Sequence, residues 1–108
     1  MATAPAFRNI QPEAALALNP PPRVIDVREP DEFVGELGHL PGALLVPIGT
    51  LPASAREWKK AEPILLVCRS GARSARAAEI LAQSGFESVL NLEGGMIAVH
   101  AKKLHVER

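Results

Sequence analysis

Three observations predict an α/β chain, doubly wound, with a mostly parallel five-stranded sheet and helices on both faces. Short runs of branched apolar residues recur at positions 24–27, 44–46, 64–67 and 89–92, flanked by Pro, Gly or charge, as expected of strands buried on both faces. Between the last two runs, Ala77, Ile80 and Leu81 recur at helical spacing over 74–84 and Gly85 supplies a left-handed stop, which makes a βαβ unit. The chain has 108 residues, enough for one hydrophobic core and too few for two, so a single domain over 1–108 is expected.

The elements follow in order. A brief strand over 7–10 precedes a short helix that starts at Pro12, carries Glu13 in its first turn and runs through Leu18; proline and an acid both suit a helix start. Pro20, Pro21 and Pro22 end it, because proline cannot continue a helix. The first long strand is expected at 24–27 and a second at 44–46. A helix over 51–58 would place Leu51, Ala55 and Trp58 on one face. The strand at 64–67 closes at Cys68, the helix over 74–84 and the strand at 89–92 follow, and a last helix starts after Gly95.

Composition excludes several function classes. Hydrophobic residues make up 47% and charged residues 22%, the balance of an ordinary folded protein. Lys plus Arg and Asp plus Glu are both 12, so no general field draws a polyanion or an acidic membrane. Three Phe and one Trp provide no stacking platform for nucleic acid. The segment 1–7 has no basic stretch followed by a long apolar run, and no apolar run exceeds the five residues of 64–68, far below the roughly 18 residues of a membrane span. A cytoplasmic monomer without nucleic-acid or membrane partners is therefore expected. A single cysteine forms no internal disulfide, and no metal-ligand spacing is found.

That cysteine sits where chemistry collects in such sheets, at the carboxyl end of a strand leading into a helix N-terminus. A helix start and nearby cations can lower a thiol pKa from about 8.5 into the range of roughly 3.5 to 7.5. Backbone N–H groups from Arg69 to Arg73 can curl round the sulfur as an anion-holding nest, with Gly71 allowing the curvature. Arg69, Arg73 and Arg76 add positive charge, and Ser70 and Ser74 add hydroxyl donors. The plain alternative is that Cys68 merely packs.

Cys68-Arg69-Ser70-Gly71-Ala72-Arg73 resembles the six-residue active-site loop of the rhodanese family. Val24-Ile25-Asp26-Val27-Arg28-Glu29-Pro30-Asp31-Glu32-Phe33 resembles the family's first signature, Gly38-His39-Leu40-Pro41-Gly42-Ala43 its second, and Asn91-Leu92-Glu93-Gly94-Gly95 its terminal glycine pair, all in family order. The resemblance implies a single-domain sulfurtransferase with no cofactor. Cys68 would be catalytic, taking sulfane sulfur from a small anionic donor such as thiosulfate as a persulfide and passing it to cyanide, a thiol or a sulfur-carrier protein. Arg69, Ser70, Gly71, Ala72, Arg73 and Ser74 would bind substrate. A persulfide carrier that is loaded by another protein uses the same residues. Phosphatases and arsenate reductases on this fold are a further alternative, but the related phosphatases place one residue more between Cys and Arg.

Neighbouring residues allow plain roles. Asp26 is expected to brace the loop by accepting its N–H groups. Arg28 either faces substrate or pairs with Glu29 or Glu32, and Arg73 either meets substrate or forms an ion pair. Arg76 is expected in solvent, His39 in a structural role, and His100 and His105 exposed. Gly94 and Gly95 either approach the loop or turn into the last helix. Where many relatives carry Trp this chain has Val99, which predicts a more open wall beside the site. The charged tail after Lys102 is expected to fray or to dock a partner.

Overall fold

The computed structural model describes residues 7–108, so the reading of the start of the chain lies, apart from Phe7, outside the described residues. Five strands form one sheet in the order β1-β5-β4-β2-β3: β1 Phe7–Ile10, β2 Arg23–Asp26, β3 Leu44–Leu45, β4 Ile64–Val67 and β5 Val89–Leu92. All four pairings are parallel. The chain adds β3 on one side of β2 and β4 on the other, so the order reverses between β2 and β4. Their carboxyl ends are the natural crevice of the fold, and Asp26 pairs with Val67 there.

Strand alternation divides the core into two layers. Ile64, Leu66 and Cys68 join Ile25, Ala77, Ala78, Leu81 and Phe86 on one side. Leu65 and Val67 join Ala15, Leu90, Leu92, Met96 and Val99 on the other. Helix α4 (Ala72–Gln83) supplies the first layer through Ala77, Ala78 and Leu81. The second is supplied by α1 (Pro12–Leu16) and α5 (Gly95–Ala101). Leu81 is 1% exposed, and truncating such a side chain to Ala typically costs about 2–5 kcal/mol.

Several boundaries differ from expectation. Helix α1 stops at Leu16 rather than Leu18. Helix α4 starts two residues early, at Ala72, because Gly71 at φ 103° caps it and the Gly71 carbonyl takes the Ala75 N–H at 3.0 Å. The expected helix over 51–58 is broken: α3 covers Leu51–Ser54, a 3₁₀ turn covers Ala55–Glu57, and Trp58 is extended. Trp58 instead meets Phe86 edge to face at 6.4 Å, with the Arg23 guanidinium 5.0 Å from its ring centre. One short helix was not expected, α2 at Pro30–Phe33. Pro30 opens it and Glu32 Oε1 accepts the Glu29 N–H at 3.0 Å, a start signal present in the sequence.

The tail does not fray. Leu104 and Val106 pack on the second core layer. Glu107 exchanges two backbone hydrogen bonds with His39, at 2.7 and 2.8 Å. His39 is structural, its Nδ1 2.8 Å from the Phe33 carbonyl oxygen and its ring stacked on Phe33 at 3.8 Å. His100 and His105 are exposed, as is Arg76.

Candidate active site

Cys68 leaves β4 buried, 1% exposed, and the chain turns back over it before entering α4. The Gly71 N–H donates to Cys68 Sγ at 3.0 Å, and the Ser74 hydroxyl lies 3.3 Å from the same sulfur. Burial pushes the thiol pKa up. The hydrogen bonds of the Ser74 hydroxyl and of the Ser74, Gly71 and Ser70 main chain more than offset it, leaving the thiol below its ordinary value. Polar groups therefore favour the anionic form of this sulfur and outweigh its burial.

The loop is held from beneath by α5. Met96 N–H donates to the Cys68 carbonyl at 2.9 Å and Ile97 N–H to the Arg69 carbonyl at 3.0 Å. In a trans peptide N–H and C=O point opposite ways, so the N–H groups of Arg69 and Ser70 are turned away from α5. This contact needs Gly95, since a Cβ there would stand 2.6 Å from the Cys68 and Arg69 carbonyl oxygens. Gly71 in turn lies against Gly94, whose N would be 3.3 Å from a Cβ on Gly71. The glycine pair thus both turns into the helix and approaches the loop.

The charged residues fall out differently from expectation. Asp26 does not brace the cysteine loop. It is fully buried and accepts from Arg28, through Nε at 2.9 Å, Nη2 at 2.8 Å and the backbone N–H at 3.1 Å. Arg28 pairs with neither Glu29 nor Glu32. It is 1% exposed and spends Nη2 also on the Gly38 carbonyl at 2.7 Å. A carboxylate and a guanidinium this deeply buried must satisfy one another, so Arg28 is primarily a strut between β2 and the 38–40 turn. It also lines a groove of about 260 Å³ with Glu32, Glu36, Leu37 and Arg69. Arg73, expected either to meet substrate or to form an ion pair, donates through Nη1 and Nη2 to the two Glu32 oxygens, both at 2.8 Å. That two-point pair holds the Glu32 carboxyl down to about 2 and ties α4 to α2.

Of the expected substrate-binding residues, Gly71 and Ser74 touch the sulfur. Ser70 and Ala72 are exposed at the mouth. Arg69 is exposed, and its side chain has no hydrogen-bond or ion-pair partner among the described residues. Val99 forms no wall of the mouth: it is fully buried in the second core layer, which replaces the expectation of an opened site. Two contacts at the loop are not expected from the sequence, that of Glu32 with Arg73 and that of Asn91 with Gly71. Asn91 is 3% exposed on β5 and its Nδ2 donates to the Gly71 carbonyl at 3.3 Å and to Asn9 Oδ1 at 2.9 Å. An Asn inside an otherwise apolar strand, where that residue is disfavoured, was the available signal.

Among the described residues no cluster of His, Cys, Asp and Glu could hold a metal ion, and no helix is long and apolar enough to cross a membrane. The Rhodanese-like domain family matches residues 11–102. A protein named "Sulfurtransferase" from Allochromatium vinosum is 41% identical over 75 residues, 69% of this chain and 68% of that one. Thiosulfate sulfurtransferase GlpE of Pseudoalteromonas translucida is 32% identical over 98 residues, 89% of this chain and 91% of that one. Some relatives are longer, and the chain spans 56% of YqhL from Bacillus subtilis. The crystal structure of a rhodanese-like domain protein from Staphylococcus aureus superposes with a TM-score of 0.77 at 31% identity, over 94% of this chain and 99% of that one. Nearly the whole length is therefore accounted for, and the chain belongs to the rhodanese-like domain family.

Proposed function

We propose that the chain is a sulfurtransferase that carries sulfane sulfur on Cys68, with thiosulfate as donor. The observation that carries this reading is the sulfur itself, buried yet hydrogen-bonded by Gly71 N–H at 3.0 Å and the Ser74 hydroxyl at 3.3 Å. The likeness to a relative named as a thiosulfate sulfurtransferase over 89% of the chain supports the donor. The Cys68 thiolate attacks the outer sulfur of thiosulfate; the S–S bond of the donor breaks and sulfite leaves with its electron pair. The terminal sulfur of the resulting persulfide carries the negative charge, which the amides of the loop stabilise as they did the thiolate. A thiophilic acceptor, cyanide or a thiolate, then attacks that terminal sulfur and the Cys68 thiolate departs. No cofactor enters either displacement. Arg69, unpaired and exposed at the loop, draws in the dianion, and Ser70 and Ala72 border its path.

The phosphatase alternative is disfavoured, because Arg73, the guanidinium that would clamp a phosphate, is committed to both oxygens of Glu32. A carrier loaded by another protein is the second reading, favoured because the same pair leaves Arg69 alone in the loop, among the described residues, to hold a small dianion. We place the protein in the cytoplasm as a monomer, where a lone thiol stays reduced.

Intact-mass spectrometry tests the proposal. Thiosulfate should add one sulfur atom to the native chain, cyanide should remove it, and Cys68→Ser should remain unchanged. An unmodified native chain would sink the thiosulfate reading. Continuous sulfite release with cyanide present marks an enzyme, and a single loading event marks a carrier.

A further inference from the structure

The Ser74 hydroxyl has one proton and two acceptors, Cys68 Sγ and the Gly71 carbonyl oxygen, each 3.3 Å away. Which of them receives it decides how strongly the thiolate is held. The distance is long for a bond to oxygen and short for one to sulfur. The second influence is the occupancy of the Gly71 carbonyl. It already accepts the Ala75 N–H at 3.0 Å and the Asn91 Nδ2 at 3.3 Å, which uses both of its lone pairs.

We infer that Asn91 is a positioning residue: by filling the Gly71 carbonyl it commits the Ser74 hydroxyl proton to the Cys68 sulfur. The amide orientation is settled by its neighbours, since a flipped Asn91 would press its oxygen against the fixed Gly71 carbonyl. The present orientation has a cost. Asn91 Oδ1 is buried without a hydrogen-bond partner, and such an orphan is destabilising at a site that Leu could fill. Its retention is explained by the bond that Nδ2 makes beneath the loop. The Asn9 bond does not explain it, because Asn9 is exposed and could turn to water.

The inference rests on the reactive thiolate of the proposed function, but alkylation by neutral iodoacetamide reads that thiolate without any sulfur donor. A chain that alkylates as expected and yet takes no sulfur would leave this inference standing while the sulfurtransferase reading fails. The rate should be measured against pH for native protein, Asn91→Leu, Ser74→Ala, their double variant and Asn9→Ala. Ser74→Ala should move the midpoint up by about one pH unit and Asn91→Leu by roughly half a unit. The double variant should match Ser74→Ala, and Asn9→Ala should match the native chain. Additive shifts in the double variant, an unmoved midpoint in a folded Asn91→Leu chain, or an equal shift in Asn9→Ala would each overturn it. Asn91→Ala repeats the measurement should Asn91→Leu fail to fold.

Discussion

Replacing Gly95 by Ala tests how the loop is held. At φ 58° an L-residue sits in the left-handed region, which costs about 1–2 kcal/mol. The new methyl would stand 2.6 Å from the Arg69 carbonyl carbon and from the carbonyl oxygens of Cys68 and Arg69. These are main-chain atoms and cannot swing aside, so the loop must lift from α5. The Met96 and Ile97 hydrogen bonds at 2.9 and 3.0 Å then lengthen or break, at about 1 kcal/mol each. The total is about 3–4 kcal/mol, a large share of the roughly 5–15 kcal/mol that holds a domain folded. Gly42 provides the control: it has φ 78° and nothing within 4 Å of a Cβ, so Gly42→Ala carries the backbone cost alone. Urea denaturation should place Gly95→Ala about 2 kcal/mol below Gly42→Ala. The alkylation midpoint of Cys68 should also move up in Gly95→Ala alone, because the lifted loop no longer aims its N–H groups at the sulfur. Equal stability of the two variants with the native alkylation profile in both would refute the idea that α5 sets the loop.

Arg28→Leu should cost about 3–5 kcal/mol by urea denaturation, because it leaves Asp26 charged, fully buried and unpaired; a loss below 1 kcal/mol would remove the strut role. Glu32→Gln should cost about 1 kcal/mol or less at neutral pH, since both partners of the Arg73 pair are partly exposed and solvent screens them. Glu32 has its carboxyl lowered from 4.5 to about 2, so its contribution is fully present above pH 4.5 and lost as pH falls through about 2. The native advantage over Glu32→Gln should shrink across that window in pH-dependent melts, and a gap that widens there would contradict the pairing. Arg69→Ala should slow sulfur loading from thiosulfate several-fold with stability unchanged. Added salt should slow the native chain and not the variant, because an exposed guanidinium is screened over about 8–10 Å; equal salt slopes would remove Arg69 from donor capture.

The legible parts of this sequence are those where one local pattern has one physical cause. Strand β4 must be apolar on both faces because two core layers share it, and the run from Ile64 to Val67 records that directly. The Cys68 loop was legible because the thiol, the residues that curl round it and the helix start are contiguous in the chain. Helix α2 was not, since four residues are too few to display a period. The partner of the Arg73 ion pair was illegible for another reason: Glu32 lies 41 positions away, and Arg73 had no local carboxylate to announce it. That the tail is held rather than frayed was not legible, because main-chain bonds between Glu107 and His39 leave no mark on side-chain identity. Val99 was assigned to a wall by likeness of position, whereas its environment is core.

These pairings also determine what remains to act on an anion. The segment from Cys68 to Arg76 contains three arginines in an otherwise balanced chain, and the simple expectation is that their charge ionises the thiol. Arg73 is neutralised by Glu32, Arg76 is in solvent, and neighbouring Arg28 is neutralised by Asp26. What acts on Sγ at hydrogen-bond range is the main chain of the loop, with the Gly71 N–H at 3.0 Å, and the Ser74 hydroxyl. These are fixed dipoles in a buried place, where they act at short range and are little screened. The side-chain charges therefore serve the scaffold, with Arg69 left for the approach of the proposed donor, while the lowering of the Cys68 pKa belongs to the Ser74 hydroxyl and to the loop backbone that α5 holds in place.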